Sequence, residues 1–65
     1  MQLKINGRAR DVTAGDVAGL LQELGLDASR VAIELNHAIV LQANFAQTPL
    51  AAGDSIEIVH FVGGG

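Results

Sequence analysis

Only one stretch of this chain repeats its apolar residues at helical spacing; most of the other apolar stretches alternate. Val17, Leu20, Leu21 and Leu24 recur three and four residues apart, which gathers them on one side of a helix. Met1, Leu3 and Ile5, then Val31, Ile33 and Leu35, then Ile56 and Ile58 stand at every second position, the spacing of strands with one covered face. The chain has 65 residues and no cysteine, so neither a disulfide nor a thiolate zinc site holds it together. Domains of this size bury only about 60% of the surface their unfolded chains expose, so no apolar face can be left to a second core. The pattern predicts a single α+β domain, one helix laid across one sheet.

Turn residues mark the element boundaries. Asn6-Gly7 follows the first alternating run, and this pair favours a two-residue hairpin because both residues tolerate positive φ. Arg8 to Val12 then returns as the second strand. A two-residue turn puts Arg8 and Arg10 on the face of Ile5 and Leu3, which predicts a bulge or a position at the sheet edge. Asp16 precedes the helical stripe as an N-cap, and Gly25 supplies a left-handed C-terminal cap with Leu26 free to pack on Leu21. Gly19 lies inside that helix, at a cost of about 1 kcal/mol relative to alanine.

Arg30 to Asn36 reads as a third strand, Asn36-His37 as a second tight turn, and Ala38 to Leu41 as a short fourth strand. Residues 42–52 show no period and are expected to be irregular, with Pro49 stopping any helix and Phe45 acting as a buried plug. Gly53-Asp54 turns the chain into a last strand, Ser55 to Val62.

Charge narrows the function. Seven acids against four bases give a net charge of −3, which argues against a binder of nucleic-acid phosphates. Lys4, Arg8 and Arg10 fall within the first ten residues, whereas acids dominate from Asp11 onward, which reads first as an ordinary solvated surface and, as the alternative, as an acidic face that steers toward a basic protein surface. The opening residues do not read as a secretory start, and no apolar run approaches the roughly 18 residues of a membrane span, so a cytoplasmic location away from membranes is expected. An enclosed active site is not expected in so short a chain. His37 and His60 are the two side chains of a type suited to acid–base work, but neither has a second ligand or nucleophile at a recognisable spacing. No metal site is expected.

From Gly53 to the end the sequence runs Gly-Asp-Ser-Ile-Glu-Ile-Val-His-Phe-Val-Gly-Gly-Gly, and this resembles the end of the ThiS family, the sulfur carriers of thiamine biosynthesis. Val31-Ala32-Ile33-Glu34-Leu35-Asn36 followed by Ile39-Val40 resembles the family's central hairpin, and Thr48-Pro49-Leu50 before Gly53 also matches. Leu41-Gln42, Phe45 and His37 depart from residues common in the family, namely Pro-Arg, Trp and Gly.

The resemblance implies a ubiquitin-like β-grasp fold, a mixed sheet of four to five strands with first and last strands adjacent and parallel. Residues 1–62 would form that domain and 63–65 a flexible glycine tail. It further implies that the chain is a cosubstrate rather than an enzyme. An E1-like adenylating enzyme of the ThiF type would activate the Gly65 carboxylate with ATP, and a donor such as a cysteine desulfurase would supply sulfur for a thiocarboxylate. The acceptor would be a thiazole synthase of the ThiG type. No cofactor is expected on the chain itself, since ATP is used by the activating partner.

The residue chemistry runs in the same direction. A carboxylate is a poor electrophile, and joining it to AMP supplies a leaving group. Gly63, Gly64 and Gly65 have no Cβ and suit a narrow channel leading to a nucleotide phosphate. Along the last strand Glu57, Val59 and Phe61 point away from Ile56 and Ile58, so a helix over Ile56 and Ile58 leaves Val59, Phe61 and the neighbouring Val62 as a partner-docking patch. Two other readings stay open at this point: a molybdopterin-type sulfur carrier, and a non-covalent β-grasp interaction module whose tail does no chemistry.

Overall fold

Both hairpins turn on an asparagine with positive φ. In the computed structural model, which describes residues 1–61, β1 (Gln2–Ile5) and β2 (Arg8–Asp11) are joined by Asn6 at φ 50° and Gly7 at φ 82°. Leu3 lies opposite Arg10 and Ile5 opposite Arg8, a regular register without a bulge. The two arginines therefore share the helix-facing side of the sheet. They are tolerated because β2 is an edge strand whose four residues are all exposed.

α1 (Val17–Glu23) starts at Asp16, whose Oδ1 accepts from the Gly19 backbone N–H at 2.7 Å. A Cβ on residue 19 would stand 3.2 Å from that same Oδ1 and 3.5 Å from the Ala14 Cβ, so the glycine leaves room for the cap. The other end closes with the Gly25 N–H donating to the Gln22 carbonyl and the Leu26 N–H to the Leu21 carbonyl, with Gly25 at φ 72°. That is the Schellman arrangement, and it satisfies carbonyls the helix leaves free.

Glu23 ties this helix back to the connection that precedes it. Its carboxylate accepts from the Thr13 hydroxyl at 2.9 Å, the Thr13 N–H at 3.1 Å and the Ala14 N–H at 2.9 Å. The Thr13 hydroxyl above all, then its N–H, holds the Glu23 carboxyl below the ordinary glutamate range. A depressed folded value means the stabilisation is present above the ordinary glutamate range and is lost as pH falls through the folded value. Glu23→Gln is accordingly expected to lower the unfolding midpoint at pH 7, and the gap from the parent should close as the solution is acidified. Urea unfolding of both chains at neutral and acid pH measures it; a gap independent of pH would refute the ionic origin.

β3 (Val31–Leu35) and β4 (Ala38–Val40) turn through Asn36 at φ 50° and His37 at φ 72°. Both strands are shorter than the sequence suggests: Arg30 belongs to a short 3-10 turn, Ala28–Arg30, and Leu41 lies beyond β4. The segment after β4 corrects an expectation. It is not irregular throughout but opens with a 3-10 helix, Gln42–Gln47, that packs on α1. Phe45 in that helix is the plug, only 3% exposed. Pro49 follows just past its end.

β5 (Ser55–His60) completes a five-stranded sheet in the order β2-β1-β5-β3-β4. It runs parallel to β1, with Lys4 beside Ser55 and Ile5 beside Ile56, and antiparallel to β3, from Val31 beside His60 to Leu35 beside Ile56. The first and last strands are thus adjacent and parallel. Leu3, Val12, Val17, Leu20, Leu21, Val31, Ile33, Phe45, Leu50 and Ile56 form the core, all on the helix side, with no buried polar side chain among the described residues. Val62, Gly63, Gly64 and Gly65, and with them the expected boundary between domain and tail, lie outside the described residues.

Candidate functional site

One face of the sheet carries the helix, and the other is open. The alternation of β5 distributes its residues between them: Ile56 is buried and Ile58 half-buried toward α1, while Glu57 and Val59 point to the open face. Phe61 continues on the open side, and its N–H donates to the Arg30 carbonyl at 2.7 Å, which prolongs the pairing with β3 one residue past the strand. Val59 is 58% exposed and Phe61 54%. The structure therefore places both residues where the alternation put them.

Neighbouring strands extend this face. Val59 stands opposite Ala32 and Glu57 opposite Glu34, and Glu34 in turn faces Ile39. These side chains, with Ile33, line a shallow depression of about 140 Å³. Ile39 is 76% exposed and was not among the residues singled out from sequence. A two-residue turn at Asn36-His37 already dictates that 34 opposes 39, so the signal was present in the turn. The two glutamates are like charges directly opposite each other, an arrangement that disfavours the isolated sheet.

The histidines are not brought together. His37 sits in the turn that joins β3 to β4, beside the Leu35–Ala38 pair, whereas His60 pairs with Val31 at the other end of β3. Among the described residues no three His, Cys, Asp or Glu side chains are grouped to hold a metal ion. No helix of the described residues is long and apolar enough to cross a membrane.

Two asparagines do more than the sequence suggested. Asn36 Oδ1 accepts from the Ser55 N–H at 2.9 Å and its Nδ2 donates to Asp54 Oδ1 at 3.1 Å, fastening the start of β5. Asn6 fastens β5 further along: its Oδ1 accepts from the Ile58 N–H at 2.7 Å and its Nδ2 donates to the Ile58 carbonyl at 3.2 Å. None of these four bonds is legible without knowing which strand lies beside the turn.

This architecture has known counterparts. The crystal structure of a thiamine biosynthesis protein (ThiS) from Geobacter metallireducens matches over all of both chains, with a TM-score of 0.85 and 33% sequence identity. The sulfur carrier protein ThiS of Bacillus subtilis is 37% identical over 97% of this chain and 98% of its own. Thiazole synthase of Paramagnetospirillum magneticum is 47% identical over 100% of this chain, which spans only 20% of that protein. A second thiazole synthase, from Magnetococcus marinus, shows the same proportion at 39% identity. The profile of the ThiS family matches residues 3–65, the described sheet together with the glycine end. Strand order, length of match and family profile agree: the chain has the β-grasp fold and belongs to the ThiS family.

Proposed function

We propose that this chain carries sulfur for thiamine biosynthesis as a thiocarboxylate on Gly65. One observation supports this above others: the central strand, with Val59 and Phe61 exposed at its end, leads in sequence directly to Gly63-Gly64-Gly65. The docking face and the reacting terminus are then close along the chain, so one encounter with a partner can serve both.

The chemistry proceeds in three steps. The Gly65 carboxylate attacks the α-phosphorus of ATP in a ThiF-type adenylating enzyme, giving an acyl-adenylate and pyrophosphate. The persulfide of a cysteine desulfurase attacks the acyl carbon and expels AMP, and a thiol then reduces the resulting acyl disulfide, which leaves the thiocarboxylate and a new disulfide on the thiol side. The resulting thiocarboxylate is the sulfur source for a ThiG-type thiazole synthase. Likeness of this chain to one fifth of two thiazole synthases supports that acceptor. Gly63 and Gly64 keep the approach to the phosphate free of side chains. Val59, Phe61 and Val62 form the docking patch, and all of this takes place in the cytoplasm with ATP held by the partner.

Intact mass tests the reading. Incubation with a ThiF-type enzyme, ATP and sulfide should raise the mass by the difference between one sulfur and one oxygen atom, and omission of ATP should leave it unchanged. An unmodified chain, beside a Bacillus subtilis ThiS that the same enzyme loads, would overturn it.

A further inference from the structure

We propose that Asn6 is a positioning residue, whose side-chain amide clamps β5 at Ile58 and so sets the direction in which the chain leaves the sheet toward Gly65. The inference rests on the carrier reading, because direction matters only where the terminus must meet a reacting group in a partner.

The argument begins with the point at which β1 runs out. Its backbone grips β5 through the Lys4 N–H on the Asp54 carbonyl and the Asn6 N–H on the Ile56 carbonyl, both at 2.9 Å. The next β5 groups on that side belong to Ile58, but the backbone turns away there through Gly7. A primary carboxamide presents the same planar pair of acceptor and donor as a peptide unit. The Asn6 side chain meets both the N–H and the carbonyl of Ile58, acting as one more residue of β1. On the opposite side β3 and the Arg30 carbonyl hold the strand as far as Phe61. Among the described residues the hold of Asn6 on Ile58 is thus the last hydrogen-bonded grip on the β1 side, and Ile58 stands seven residues before Gly65.

The turn alone does not demand this residue. Glycine satisfies positive φ at position 6 at least as well. Aspartate tolerates the turn too, but it offers two acceptors, one of them set against the Ile58 carbonyl. Glutamine carries the amide one methylene too far. Asn36 occupies the same place in the other hairpin at the same φ of 50°, yet its Nδ2 goes to the Asp54 carboxylate at the start of β5. The two-sided peptide mimicry is particular to Asn6.

A clamp of this kind acts after docking. The open face bearing Val59 and Phe61 is on the far side of the sheet from α1 and does not include Asn6, so affinity for a partner is set elsewhere. Delivery of the terminus to the α-phosphate depends on orientation, and small misplacements of a reacting group are costly in rate.

The test is Asn6→Gly, which keeps the turn and deletes both bonds, with Asn6→Asp as a second variant should the first fail to fold. In weakly aligned solution, residual dipolar couplings of the Val59, His60 and Phe61 amides should shift relative to those of β3, and the Ile58 amide should exchange faster. With a ThiF-type enzyme, the single-turnover adenylation rate should fall about tenfold while Kd stays unchanged. Unaltered couplings would overturn the clamp, and altered couplings with an unaltered rate would overturn its role in delivery. A parent chain that is never adenylated would remove the carrier reading itself, and the couplings would still decide whether Asn6 directs the strand.

Discussion

A single residue added after Gly65 is expected to reduce adenylation to background and to leave unfolding unchanged. The added peptide bond turns the Gly65 carboxylate into an amide, which has no free oxyanion to attack ATP. It also moves the new carboxylate beyond the point where a chain ending at Gly65 meets the α-phosphate. Every core residue described lies at or before Ile56, so the midpoint of urea unfolding should change by less than about 0.5 kcal/mol in stability. Pyrophosphate release in a single turnover, on chains confirmed as folded, is the measurement. Normal kinetics at the new terminus would show that the active site reads neither the identity nor the position of the last residue.

Phe61→Asp is expected to weaken binding to the adenylating enzyme and to the thiazole synthase alike, by about 2 kcal/mol or more, roughly thirtyfold in Kd. An aromatic ring that is 54% exposed two residues beyond Val59 is available to fill a partner's pocket, and a carboxylate there carries a desolvation cost into the interface. The stability of the free chain should hardly change, because the ring lies on the face away from α1. Isothermal titration with each partner separates the cases: intact affinity in both complexes removes Phe61 from the interface. Unfolding of the variant would mean instead that the ring supports the sheet.

The parts of this fold that follow local rules were readable in the sequence. Asn6-Gly7, Asn36-His37, Asp16 and Gly25 each declare a backbone conformation, and the structure has the turns and caps they announce. The arginine-bearing β2 was confined to two alternatives, and the edge position is the one realised. The parallel pairing of β1 with β5 is another matter. No periodicity states which distant strand lies beside another, and that expectation came only from likeness to a family.

The 3-10 helix around Phe45 was missed for a related reason. Its single large apolar side chain establishes no repeat, so only packing against α1 defines it. On the site, alternation alone exposed Val59 and Phe61, whereas the Asn6 clamp joins residues 52 positions apart and exists only once the strands are registered.

That same separation governs when the fold can exist at all. A chain made from its N-terminus has both hairpins and the helix available before β5 has been synthesised, yet the two hairpins touch the sheet's centre only through that strand. Pairing of strands so distant in sequence is the slow, entropically expensive step of such a topology. Sheet closure therefore reports on translation. Until Ile56 emerges the core lacks its central residue, so a nascent chain presents no finished docking face, and assembly of the domain coincides with arrival of the segment that leads to Gly65.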